Sequence, residues 1–215
     1  MINSHLFIKK LVLMSVGVML MTILVTTAHA DDRVVRNHSF DMDGIEEVEF
    51  SNSVGAIDIV QGNGKEMRVV LEIEADKKGF FHRRVDVDDM DLEMRKRGDT
   101  LFLNFREDDV KAQWTVEMPA VRRTILEVGV GEIRLELGDT DLDVELGVGE
   151  VNVLAPEKSV GRINLHVGVG DASVRGAEIL DSESAFISQS IRAQGKGDND
   201  LEVDVGVGDV SVRLK

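Results

Sequence analysis

Four regularly placed carboxylates could bind a metal ion. Each directly follows a Gly-Val-Gly tripeptide, and they are Glu132, Glu150, Asp171 and Asp209. If the copies stack about 4.8 Å apart, neighbouring charges repel by roughly 1 kcal/mol in water. Calcium takes several oxygen ligands, so a calcium ion bound by these carboxylates and by glycine carbonyl oxygens could relieve that repulsion. The calcium-binding nonapeptide β-roll has a shorter repeat and a different glycine spacing, so splayed, hydrated carboxylates are the alternative interpretation.

A cationic and aromatic cluster interrupts the acidic sequence. Four permanent cations and one histidine surround two adjacent phenylalanines, and the cluster comprises Lys77, Lys78, Phe80, Phe81, His82, Arg83 and Arg84. Cations and inserting rings could contact an anionic membrane surface or an envelope glycan. The other interpretation is a hairpin connection whose phenylalanines fold back onto the sheet. The lysines, arginines and phenylalanines of this cluster are therefore the partner-binding candidates.

Catalytic chemistry has less support in the sequence. His166 alternates with apolar Leu165 and Val167, so it is predicted to face outward without a local serine or aspartate triad. His38, His82 and His166 do not show the spacing of metal ligands. Acidic residues are abundant, so paired carboxylates that hydrolyse sugars are the alternative. We expect a protein that is not an enzyme, without catalytic residues or a cofactor.

The carboxylates belong to a sequence repeat. The phrase Gly-Val-Gly-acid begins at residues 129, 147, 168 and 206, and successive starts lie 18, 21 and 38 residues apart. A period near 19 explains this spacing if a degenerate copy lies near residue 187. The inward positions of that copy are predicted to be Ser184, Phe186, Ser188, Ile191 and Ala193.

Apolar residues alternate with polar ones around each copy and change parity across the phrase. In the second copy one parity holds Leu142, Val144, Leu146 and Val148, and the other holds Val151 and Val153. Alternation indicates half-buried strands, and the change of parity indicates a corner. The valine of the phrase is therefore predicted to face inward, so that a charge at Val148 would disrupt the core.

The second glycine of each phrase is predicted to form the corner, where positive φ or close backbone approach excludes a side chain. These structural corners are Gly131, Gly149, Gly170 and Gly208. Two short strands and a bend per repeat predict an all-β fold, a β-solenoid similar to a parallel β-helix with rungs of about 19 residues.

One β domain is predicted over residues 45–215. Its first part, 45–120, is expected to contribute a first rung and a hairpin-rich sheet that caps or extends the solenoid. Residues 121–215 are expected to form the Gly-Val-Gly-acid rungs, and residues 31–44 an N-terminal tail.

The first thirty residues have the features of a signal peptide. Lys9 and Lys10 precede an apolar stretch that ends near Thr27, and Ala28-His29-Ala30 is typical of a cleavage site. An uncleaved membrane anchor is the alternative. The sequence has no cysteine, which excludes disulfides and thiolate metal sites. We expect a periplasmic or secreted protein, with no transmembrane anchor if the leader is cleaved.

The charge excludes one class of partner. The net charge is −15, and removal of the leader with its two lysines takes it to −17. Nucleic-acid binding needs a dense basic surface, so nucleic acid is not an expected partner. The acidic surface instead favours solubility of a sheet-rich protein.

Three segments together resemble a known family. They are Ser53–Ile59, Trp114–Pro119 and the Gly-Val-Gly-acid repeats. They are similar to the adhesin-like β-solenoid domains of bacterial envelope proteins, which are mostly of unknown function. The resemblance covers roughly residues 40–215, and it implies a β-solenoid without known catalytic residues.

The expected function is an exported, non-enzymatic β-solenoid that acts as a binding, adhesin-like or scaffold module of the envelope. Its partner would be an envelope protein or a glycan. One alternative is a carbohydrate-active β-helix enzyme. Another is a surface protein that self-associates, with calcium or through an unpaired edge at Val210–Leu214, the end of the last repeat.

Overall fold

The computed structural model describes residues 33–75, 85–185 and 187–215. The predicted signal peptide lies outside these described residues. The partner-binding candidates Lys77, Lys78, Phe80, Phe81, Arg83 and Arg84 also lie outside them, as does Phe186.

The described part of the chain contains thirteen β-strands and no helix, which confirms the all-β prediction. The strands are β1 (Arg33–Asp41), β2 (Glu47–Gln61), β3 (Glu66–Ala75), β4 (Glu93–Arg97), β5 (Thr100–Phe105), β6 (Val110–Met118), β7 (Arg123–Glu136), β8 (Asp141–Ala155), β9 (Val160–Val169), β10 (Ala172–Arg175), β11 (Glu178–Ala185), β12 (Ser188–Gln194) and β13 (Asn199–Leu214).

Four long strands, β2, β7, β8 and β13, each contribute their two halves to two different rows of paired strands. Their first halves belong to the order β4-β5-β2-β7-β8-β13-β9-β12-β11. Their second halves belong to the order β1-β3-β6-β2-β7-β8-β13-β10. Buried side chains from both halves form one apolar cluster, so each long strand bends around a shared core.

The repeats pair in parallel and in register. Gly131 is opposite Gly149, and Gly149 is opposite Gly208. Because side chains alternate along a strand, this register brings equivalent apolar positions together on the core side. Val144 and Val203, for example, are paired and fully buried.

The strand order differs from the chain order at the last repeat. β13 lies between β8 and β9 and pairs in parallel with both. The predicted unpaired edge at Val210–Leu214 is therefore wrong, because this segment pairs with β8 on one side and its first four residues pair with β10 on the other. The physical reason is that β12 already occupies the far side of β9, which leaves the side facing β8 for β13.

The degenerate copy near residue 187 does not form a parallel repeat. β11 and β12 form an antiparallel hairpin, and β12 pairs antiparallel with β9. Ile191 and Ala193 are buried as predicted, whereas Ser184 is exposed. The prediction of a rung here is wrong because alternation fixes which side chains are buried but not the direction of the strand.

The segment predicted as an N-terminal tail contains a strand. β1 pairs antiparallel with β3 along its whole length. It is an edge strand on which half-buried residues alternate with exposed ones. Its side chains thus cover the outer part of the core only partly, which explains why its apolar pattern is weak.

The valine in the middle of each Gly-Val-Gly phrase is exposed, so the prediction that it faces inward is wrong. Leu146 and Val151 are the last and first buried residues on either side of the second phrase, and the four residues between them lie on the outside. The chain uses these four residues to turn the corner, which places the valine on the convex side of the bend.

Candidate functional site

The corner glycines have a backbone that other residues adopt poorly. Their φ angles are 158° at Gly131, 145° at Gly149, 136° at Gly170 and 141° at Gly208. A Cβ atom on Gly149 would lie 1.7 Å from the carbonyl oxygen of Gly131. Both the positive φ and the close approach of neighbouring strands therefore require glycine at this position.

Four valines at the corner form an exposed line across the sheet, which we name the valine row. In spatial order these are Val130, Val148, Val207 and Val169, and each is paired in register with the next. Their exposed fractions are 46%, 45%, 46% and 41%, respectively. Since neighbouring strands lie about 4.8 Å apart, the row is roughly 14 Å long.

Two sets of carboxylates flank the valine row. The corner acids, two residues after each valine, lie in the spatial order Glu132, Glu150, Asp209 and Asp171, where Asp209 is beside Glu150. The strand acids, three residues before their valines, are Glu127, Glu145 and Asp204, and they are also in register. The fourth position of this second set is occupied by His166.

The corner acids contact nearby donors instead of converging on one point. Glu132 forms an ion pair with Arg134, and Glu150 accepts a hydrogen bond from Asn152 Nδ2 at 2.7 Å. Asp209 Oδ1 accepts one from the Asp171 backbone N–H at 2.9 Å. Within residues 33–75, 85–185 and 187–215, no three carboxylate or histidine side chains are placed to hold a metal ion. The geometry therefore favours separate carboxylates over a calcium ladder.

A polar cleft of about 430 Å³ lies on the outer face of β9, β11, β12 and β13. His166 Nδ1 lies 2.9 Å from Ser190 Oγ, and Asp204 is paired with His166 from the opposite side. The cleft also contains a set of carboxylates and one guanidinium, which are Asp181, Glu183, Glu202 and Arg192. Such a surface can hydrogen-bond a hydroxyl-rich ligand.

Sequence reasoning missed this cleft, since it considered only the residues close to His166 in the sequence and found no serine or aspartate triad among them. Ser190 lies 24 residues beyond His166, and the antiparallel pairing of β12 with β9 brings them together. The one signal in the sequence was the alternation around His166, which predicted correctly that this side chain faces outward.

A carboxyl group of β2, that of Glu49, has a perturbed pKa. Burial raises the pKa of Glu49 above its ordinary value, and the nearby Glu127 and Glu47 raise it further. The ionised form of Glu49 is therefore less favourable in the folded protein than in the unfolded chain.

A bilayer-spanning helix would need about twenty apolar residues. Among the residues that the structure describes, no helix meets that requirement.

The sequence model of one protein family matches residues 29–175, and that family is the N-terminal domain of toast_rack, DUF2154. The match ends before β11, so it does not include β13, which separates β8 from β9. A comparison with functionally curated proteins finds no match.

Two solved structures that are similar to this chain are those of bacterial proteins. A putative cell adhesion protein from Clostridium sporogenes aligns over 85% of this chain and 100% of its own, with a TM-score of 0.52 and 15% identity. A putative adhesin from Bacteroides fragilis aligns over 83% of this chain and 97% of its own, with a TM-score of 0.34 and 12% identity. At 15% identity the Clostridium sporogenes structure concerns the fold alone, and at that level it confirms the resemblance to adhesin-like bacterial domains.

Proposed function

The chain belongs to the family of the toast_rack N-terminal domain, DUF2154, and from this premise we propose that it is an exported, non-enzymatic binding or scaffold module of the bacterial envelope. The signal-peptide features of residues 1–30 support a periplasmic or secreted location. The Clostridium sporogenes protein of similar fold is named a putative cell adhesion protein, and that name supports an adhesin-like role for this chain.

The proposed architecture of the module is a flattened β-solenoid. Each long strand supplies two sides of a rung, and residues 137–140 return the chain from the end of β7 to the start of β8. The parallel register between β7 and β8 supports this proposal. Its rungs do not follow chain order throughout, because β13 intervenes between β8 and β9.

The valine row is the observation that carries the binding proposal. Four large apolar side chains are exposed side by side on a protein of net charge −15. Scattered exposed apolar residues are ordinary, but a contiguous line bordered by polar residues is typical of an interaction site. A glycine precedes and follows each valine, so the residues next to it have no side chain that could cover the row.

In-cell photocrosslinking of the exported full chain tests the proposal. A photoreactive residue replaces Val148 in one variant and Val60 in the control, since Val60 is equally exposed at 48% but lies away from the row. We expect a discrete crosslinked band from position 148 and no such band from position 60. The binding proposal is wrong if neither position, or both positions equally, yields crosslinks.

The polar cleft favours a second candidate function, a carbohydrate-active enzyme. Glu183 and Glu202 lie in the cleft with His166 and Arg192. Sugar hydrolysis uses two carboxyl groups, one as acid and one as base or nucleophile. Reducing-sugar release from envelope glycans, measured for the parent and for Glu183→Gln and Glu202→Gln, tests it. Hydrolysis that either substitution abolishes would favour the enzyme over the scaffold.

A further inference from the structure

We propose that the valine row is a docking site for a cationic amphipathic helix of a partner protein. This inference rests on the proposed binding function and specifies the chemistry of its partner.

The shape of the surface fits one helix. The valines are about 4.8 Å apart, and a helix advances 5.4 Å per turn, so apolar side chains at i, i+4, i+7 and i+11 can follow the row for about three turns. Rows of glycine border the valines on both sides, for example Gly147 and Gly149 around Val148. A helix can therefore approach the backbone of these glycines closely on either side of the valine row.

The charges on both sides fit a basic partner. The strand acids precede the valines by three residues and the corner acids follow them by two, so at about 3.3 Å per residue they lie at most about 10 Å and 7 Å from the valine row. A helix is about 10–12 Å wide with its side chains, so lysine or arginine on its two flanks can reach both sets. Seven carboxylates are present, and two of them, Glu127 and Glu132, form ion pairs with Arg106 and Arg134. The surface keeps a net negative charge.

The same charges argue against two other occupants. A second copy of the protein would place its own carboxylates against those of the first, which is repulsive. A membrane rich in anionic lipids would be repelled in the same way. A cationic partner would not experience either repulsion.

Peptide binding to the purified full chain tests the inference. The probes are two fluorescent helical peptides of about 15 residues with the same leucine spacing, one with lysine on both flanks and one with glutamate. We expect the lysine peptide to bind, to bind more weakly as salt increases, and the glutamate peptide not to bind. Equal binding of both peptides, or binding of neither, would overturn the inference.

Variants then locate the site. Val148→Ser is expected to weaken binding of the lysine peptide about tenfold, because one apolar side chain is lost from the interface. The matched control Val60→Ser should leave affinity unchanged, and both variants should melt like the parent since both valines are half exposed. If Val148→Ser binds like the parent while remaining folded, the site is elsewhere. If it unfolds, Val148→Thr, which keeps the branched shape, replaces it in the same assay.

Two further measurements distinguish the other occupants. Self-association in sedimentation that Val148→Ser removes would identify a second copy as the occupant and refute the helix proposal. Binding to phosphatidylglycerol vesicles that Val148→Ser removes would identify a membrane and refute it equally. A photocrosslink at position 148 in cells, without binding of the lysine peptide, would keep the proposed function and reject only the helix.

Discussion

Replacement of Gly149 by alanine is expected to destabilise the protein severely. The added Cβ would lie 1.7 Å from the Gly131 carbonyl oxygen and 2.8 Å from the carbon of the same group. Gly149 also has φ of 145°, where a side chain is strained. Backbone atoms cannot rotate away as a flexible side chain can, so the two strands must separate locally.

The magnitude follows from these two costs. An unfavourable backbone conformation costs about 1–3 kcal/mol, and overpacking costs about as much again. We therefore expect a loss of roughly 4 kcal/mol in the free energy of unfolding. For a domain of this size, each kcal/mol lowers Tm by about 2–4 °C, so Tm should fall by about 8–16 °C.

Two glycines provide graded controls in the same assay, thermal and urea unfolding followed by circular dichroism. Gly147→Ala should lose about 1–3 kcal/mol, because its Cβ would lie 2.5 Å from the Gly129 carbonyl oxygen but its φ is not positive. Gly64→Ala should be neutral, since the nearest atom to its Cβ would be 3.7 Å away. Parent-like melting of Gly149→Ala, or an equal loss in Gly64→Ala, would refute this account of the corner.

Three other predictions concern the core, the last strand and pH. Val148→Asp should leave the fold intact whereas Val144→Asp, at a fully buried position, should abolish cooperative unfolding; equal circular dichroism melts for both would contradict the corrected burial pattern. Removal of residues 199–215 should prevent folding, because β8 and β9 lose the strand between them; a native-like melt of the truncated chain would disprove that strand order. The pKa of Glu49 is higher in the folded protein than in the unfolded chain. Its protonated form therefore stabilises the folded protein below pH 4.5, and this stabilisation is lost as pH rises through the pKa of the folded state. Glu49→Gln should therefore gain urea stability relative to the parent as pH increases from 4.5, and a constant difference at every pH would contradict the shift.

Local sequence patterns were enough to predict the type and repetition of the secondary structure. Alternation with a period of two is a local property, so it predicted all-β structure and buried positions such as Val144 and Val203. The positions of Gly149 and its equivalents were also visible, because glycine recurs where the parity changes. These features depend only on neighbouring residues, which one sequence shows directly.

Which residues the corner exposes, and which repeats pair with each other, depends on contacts between distant parts of the chain. The change of parity in the apolar pattern indicates that the chain turns. Whether the Val148 side chain faces the core or the solvent depends on how many residues form the bend. The place of β13 between β8 and β9 was equally hidden, since repeats of one pattern can pair with any other copy. The contact of His166 with Ser190 depends on a different long-range pairing, that of β12 with β9. Such choices are set by competition between distant segments for the same ladder hydrogen bonds, and local periodicity is identical for every outcome.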